Sequence, residues 1–265
     1  MAEEKKEMTF LEHLEQLRWH LIRSAISVII FASLAFIFKD IIFDKIILAP
    51  KNNDFITNLL LCDFGKWMNI PALCINSVPF QLININLTGQ FTTHINISIV
   101  AGLIIAFPYV FWEIWRFIKP ALYEKELKHT RGAVFTSTSL FLTGILFGYF
   151  IIVPLSLNFL GTYQVSSDVL NQINLKSYIS TITSITLAGG IAFELPVLIY
   201  VLSKAGIVSS AFLRKYRRHS IIVILIISAI ITPPDVFSQI LVAIPLFALY
   251  EVGIIIAKKI ERKAN

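Results

Sequence analysis

Apolar residues along this chain come in long blocks separated by short polar stretches, and the blocks set the reading. The first, Trp19–Phe38, has an uncharged centre at Ser24–Phe38 and is closed by Lys39, Asp40, Asp44 and Lys45. Further blocks run over Phe91–Trp112, Gly132–Val153, Ser177–Ser203, Ser220–Thr232 and Val236–Tyr250. The spacing predicts an all-α polytopic membrane protein with six transmembrane helices. The last two blocks have only 13 and 15 residues. Straight helices of that length reach about 20–23 Å, less than a hydrocarbon core of roughly 30 Å, so helices five and six are expected to be short. The fourth block is broken by Glu194 and Pro196, just after Gly189 and Gly190. Pro108 lies near the end of the second, where it should kink the helix. Gly144 and Gly148 form a small-xxx-small pair in the third. Residues 9–21 read as an amphipathic helix lying in the membrane interface. Thr9 and Glu12 make a capping box, and Phe10, Leu14, Leu17 and Leu21 share one face, with Glu12, Gln16 and Trp19 on the other.

Composition narrows the class further. Hydrophobic residues make up 56% of 265 and charged residues 15%, and the mean hydropathy is +0.73. A disordered chain, a coiled coil and a disulfide scaffold are excluded, and a soluble enzyme lacks the polar surface to cover 21 Phe and the Ile/Leu runs. The acidic and basic residues within 1–20 do not read as a cleavable signal peptide.

The net charge of +6 reports orientation rather than nucleic-acid binding, because the basic residues sit in blocks between apolar runs. Of the 23 Lys and Arg, 18 fall on the side that holds both termini of a six-span chain. By the positive-inside rule that side is cytoplasmic. The expected organisation is one membrane domain over 1–265. It comprises a cytoplasmic N-terminal helix (1–20), an external loop (44–90), a cytoplasmic loop (113–131), a second external loop (154–176), a second cytoplasmic loop (204–219) and a cytoplasmic tail (258–265). Cys62 and Cys74 then lie outside, where a disulfide could form in an oxidising compartment.

No catalytic motif or metal-ligand spacing appears. Glu194 is the residue that demands an account, since an ionisable group within a span costs several kcal/mol, roughly, unless it is neutral or partnered. It could be a proton site, a polar anchor for a partner helix, part of a water-filled groove, or a neutral acid bonded within its own bundle. The segment after the second span mixes aromatic residues with Glu113, Glu124 and Glu126. Carboxylates there could bind a cationic ligand, best an Arg fork, or pair with Lys125 or Lys128. Asp235 could cap the sixth helix, and Gln239, one turn inside, could hydrogen-bond to another helix. A proton-coupled solute transporter would also use a carboxylate beside a broken helix, but the two halves of the chain carry no inverted repeat.

Several segments, in order, resemble the TatC family, the multi-spanning core component of the twin-arginine protein translocase. They are His13-Leu14…Leu17-Arg18, Phe107-Pro108…Trp115-Arg116-Phe117-Ile118…Pro120…Leu122-Tyr123…Glu126, Phe193-Glu194-Leu195-Pro196, Arg217-Arg218, and Thr232-Pro233-Pro234-Asp235-Val236-Phe237-Ser238-Gln239…Pro245…Tyr250-Glu251. The resemblance implies a concave, glove-like bundle and no enzymatic activity or cofactor. It implies a receptor for paired-arginine signal peptides in a bacterial-type inner membrane. That receptor would assemble into an oligomeric complex with single-span TatA/TatB-type subunits and export folded proteins on the proton-motive force. One carboxylate of the family's arginine site matches Glu126; the other position falls on Gln16. Glu15 lies one residue earlier, about 100° around the helix. Either Glu12 or Glu15 substitutes, or Glu126 carries the charge alone. Glu194 matches the family's intramembrane glutamate, and Thr232, Asp235 and Gln239 match a region that docks partner helices.

Overall fold

The computed structural model describes residues 10–70, 74, 81–118, 130–166, 168, 171–232 and 236–264. Almost everything described is helix. Helix α1 spans Phe10–Ile37, α2 Ile56–Met68, α3 Gly89–Ile118, and α4 Thr130–Phe147. A π-helical turn over Gly148–Ile152 joins α4 to α5, Val153–Thr162. Then come α6 (Leu175–Phe193), α7 (Leu195–Lys204), α8 (Ser210–Lys215), α9 (Arg217–Ile231) and α10 (Val236–Ala264). Leu82–Ile83 and Ile173–Asn174 form a two-residue parallel pair at one end of the bundle.

Among the described residues five helical stretches are long and apolar enough to cross a membrane: Leu14–Ile37, Gly89–Ile118, Gly132–Thr162, Leu175–Lys204 and Ser238–Arg262. The block read as the fifth span lies in α9, which has 15 residues and is short as expected. The sixth helix is not short: α10 runs for 29 residues. The block read from the sequence stops at Tyr250 because Glu251 follows, but Val252–Ala257 is apolar again and no Pro lies in Glu251–Ala264, so the helix continues. The amphipathic stretch at the N-terminus is likewise continuous with the first span. The third span also continues beyond Val153 to Thr162, into the segment read as loop.

Helix contacts are built on small residues, as expected where lipid removes the hydrophobic drive for association. Helix α1 packs on α3 where a Cβ added to Gly102 would lie 2.5 Å from the Ala32 backbone nitrogen. Ser24, Ala35 and Ser98 are buried along the same contact. Helices α4 and α6 approach just as closely: a Cβ on Gly144 would lie 2.5 Å from the Gly189 carbonyl oxygen. The small-xxx-small pair read from the sequence is therefore a real contact, with Gly148 against Ile185 one turn further on. Buried Ile179 and Ile182 of α6, Ile199 of α7 and Leu246, Tyr250 and Ile254 of α10 belong to one continuous apolar core, in which α10 packs mainly on α7. An apolar cleft of about 750 Å³ opens between α3, α4 and α6, lined by Ile97, Ala101, Ile105, Leu146 and Ile182 among others.

Candidate functional site

Three polar sites interrupt this apolar framework. The first joins the N-terminal half of α1 to the last two turns of α3. Glu113 is 1% exposed, and its Oε2 lies 2.5 Å from His20 Nδ1 and 3.9 Å from Arg23 Nη1. Its Oε1 lies 3.6 Å from Arg116 Nη1. The Arg116 guanidinium stacks over Trp112, and the His20 ring meets the edge of Phe117. Pairing with Lys125 or Lys128, both outside the described residues, is thus not needed to account for Glu113: it is enclosed by His20, Arg23 and Arg116. Arg23 is half-exposed and turned toward Glu113.

Gln16 precedes His20 by one turn and so shares its face of α1. Glu15 falls about 100° away, toward Trp19. Both Glu15 and Gln16 are exposed. Glu126 lies outside the described residues, so the structure does not test its pairing with either. Ile118, the last described residue of α3, precedes Glu126 by eight positions.

The second site is Glu194, which sits where α6 ends and α7 begins. The interrupted fourth span is borne out. Pro196 occupies the first turn of α7, and the Glu194 carbonyl accepts bonds from the backbone N–H groups of Val197 and Leu198, both at 3.0 Å. Ser137 Oγ, from α4, donates to Glu194 Oε2 at 2.8 Å. The glycine contact makes this reach possible. Gly144 meets Gly189, Phe141 packs over Gly190, and the short Ser137 side chain meets Glu194 one turn beyond. The other oxygen, Glu194 Oε1, is buried and has no hydrogen-bond partner among the described residues.

The third site is the far end of α9 and α10. Thr232 is buried and its hydroxyl donates to the Ser228 carbonyl at 2.8 Å. Gln239 Nε2 donates to the Leu225 carbonyl at 3.1 Å. The glutamine therefore bonds to another helix, as its position suggested. Thr232 and Gln239 each bond to a backbone carbonyl of α9, Ser228 and Leu225 respectively, whereas Glu194 bonds to α4. Asp235 lies outside the described residues. At the opposite end of the pair, Arg217 is ion-paired with Glu251, and Glu261 accepts from the Ser210 backbone N–H at 2.6 Å and from its hydroxyl.

Sequence reasoning named Glu113 but missed its partners. His20 lies four residues after Gln16 and three before Arg23, on one helical face. That stripe was the available signal. Cys62 and Cys74, left open above, are joined in a disulfide.

A bundle with five helices long and apolar enough to cross a membrane, carrying three polar sites among its described residues, defines a polytopic helical membrane protein. Comparison with known proteins identifies which. Residues 12–245 match the family model described as Sec-independent protein translocase protein (TatC). The chain is 41% identical to the Sec-independent protein translocase protein TatC of Blattabacterium sp. subsp. Periplaneta americana (strain BPLAN), over 99% of this chain and 100% of that protein. It is 36% identical to the protein of the same name from Aquifex aeolicus (strain VF5), over 97% of each. A solved structure described as "Crystal Structure of Twin Arginine Translocase Receptor- TatC" superposes with a TM-score of 0.72 at 35% identity, covering 94% of this chain and 100% of that one. The chain belongs to the TatC family. It is a membrane-embedded component of the Sec-independent, twin-arginine protein translocase, a transport subunit rather than an enzyme.

Proposed function

We propose that this subunit is the receptor for twin-arginine signal peptides and the platform on which single-span TatA/TatB-type subunits assemble. The observation that carries the reading is the likeness, over nearly the whole chain, to a solved protein described as the twin-arginine translocase receptor. In this reading both termini face the cytoplasm of a bacterial-type cell, across its inner membrane, as the basic-residue count favours. Glu126 takes one arginine through a bidentate fork. Gln16 supplies hydrogen-bond acceptance from the face it shares with His20, and Glu15 adds charge from beside it. Glu113 is not a ligand here, because its oxygens already face three basic side chains.

Glu194, Thr232, Asp235 and Gln239 form the intramembrane docking positions. The unpartnered Glu194 oxygen supports this assignment most directly, since a buried acceptor gains most from a partner helix that brings a donor. The assembled oligomeric complex then exports folded passengers on the proton-motive force.

The test is crosslinking of the purified protein, in lipid, to a signal peptide carrying Arg-Arg beside a Lys-Lys version. Strong Arg-Arg crosslinks that fade with Lys-Lys support the receptor reading. Equal crosslinking of the two peptides overturns it for this chain acting alone.

A further inference from the structure

Helix α2 is built inside out. Its inward face carries Asn58, 2% exposed, and the buried Gly65. Asn58 spends its amide on the Asn52 carbonyl at 2.9 Å, fastening the helix to the preceding chain. The outward face carries Ile56, Leu60, Phe64 and Trp67, which are 57%, 64%, 50% and 80% exposed. These four recur at intervals of four, four and three residues and so form one stripe. A helix facing water does the reverse, and an apolar stripe of this size on a soluble surface would have to be covered.

The position of α2 says what covers it. Thr57 Oγ1 donates to the Phe150 carbonyl at 2.5 Å, and the Phe55 ring stacks on Phe150 with centroids 5.6 Å apart. Phe150 lies 18 residues into the span that starts at Gly132. At 1.5 Å per residue that is about 27 Å, close to the far boundary of a hydrocarbon core of about 30 Å. The charged residues Lys39, Asp40, Asp44 and Lys45, all exposed, follow the end of α1 and mark the same boundary. Helix α2 therefore begins at the edge of the lipid. Its first residue, Ile56, also lines the apolar cleft together with Ile46, Ile105 and Leu146, which are exposed apolar residues of the spanning region. The stripe on α2 is thus continuous with the surface that meets acyl chains. Asp63 and Lys66, paired at 3.3 Å, lie on one flank of the stripe. Cys62 lies on the inward side, so its disulfide holds Cys74 off the stripe.

We infer that α2 is an interfacial helix whose Ile56–Leu60–Phe64–Trp67 stripe rests in the headgroup–acyl boundary of the leaflet opposite the N-terminus, with Trp67 as its anchor. The partner is a phospholipid surface. Helix α2 would then hold one rim of the cleft at a constant depth, independently of any peptide or partner subunit.

Tryptophan fluorescence tests this in the full-length protein, reconstituted in phosphatidylethanolamine–phosphatidylglycerol vesicles with or without acyl chains brominated near the headgroup. The difference between the wild type and Trp67→Phe isolates the Trp67 signal. Brominated lipid should remove most of that signal, and aqueous iodide should remove little. A Leu60→Trp substitution in the Trp67→Phe background should behave the same way, while Lys66→Trp in that background should remain open to iodide. Two results overturn the inference. Free quenching of Trp67 and Leu60→Trp by iodide puts the stripe in water. Shielding of both from lipid and iodide alike puts it against protein, either a second copy or another segment of this chain.

Discussion

Glu113 and Glu194 are both carboxylates within helical spans, and their surroundings differ in kind. Glu113 is enclosed by three basic side chains from two helices, all within 4 Å of its oxygens. Glu194 has one hydroxyl on one oxygen and nothing among the described residues on the other. The first arrangement uses its charge to hold the fold: it locks the N-terminal half of α1 to the end of α3. The second leaves hydrogen-bonding capacity unspent where a helix is already broken. A buried acid with all its partners in its own chain has a structural task. One with an orphaned oxygen points to something outside the chain.

The comparison breaks most severely at Glu113. Glu113→Ala should cost about 3 kcal/mol, because it removes a buried hydrogen-bond acceptor from His20 and takes the carboxyl group away from Arg23 and Arg116. Thermal unfolding in detergent would measure this as a lowered midpoint; an unchanged midpoint would show that the cluster does not hold α1. Gly144→Ala comes next, at roughly 1–3 kcal/mol, since its Cβ would press on the Gly189 backbone rather than on a yielding side chain. The same change should push Ser137 away from Glu194, which a crosslinking distance between α4 and α6 would record.

Ser137→Ala should cost about 1 kcal/mol, the worth of one hydrogen bond in a membrane bundle. Its readout is the same unfolding midpoint, and a shift as large as that of Glu113→Ala would contradict the contrast drawn above. The most discriminating pair comes last because one of its effects on stability is the smallest. Glu194→Gln keeps shape and an acceptor for Ser137, so stability should change by less than about 1 kcal/mol while co-purification of TatA/TatB-type subunits falls. Glu113→Gln should lower stability and leave co-purification of the folded fraction intact. The opposite assignment of losses would reverse the roles given to the two acids.

Legibility in the sequence followed the range of the interactions. Spans appear as apolar blocks because each residue meets lipid or a neighbouring helix independently, so composition alone marks them. The break at Glu194–Pro196 and the close approach at Gly144 were legible for the same reason: a missing N–H or a missing Cβ acts locally. The length of α10 was not, since Glu251 interrupts an apolar block without interrupting helical hydrogen bonding. The continuity of α1 escaped in the same way, because an amphipathic start and an apolar continuation read as two elements while the backbone between them carries no breaker.

By itself the sequence determined a polytopic helical membrane protein, the distribution of its basic residues, the broken fourth span and the family pattern. These are properties of single residues and short windows. Only the tertiary structure decided that Glu113 is enclosed by His20, Arg23 and Arg116, that Ser137 reaches Glu194, that Gln239 bonds to α9, and that α2 turns its apolar stripe outward. Each of those depends on which face of one helix meets which face of another. That choice is made by side-chain packing across distant parts of the chain: His20 and Glu113 are separated by 93 positions yet share a hydrogen bond.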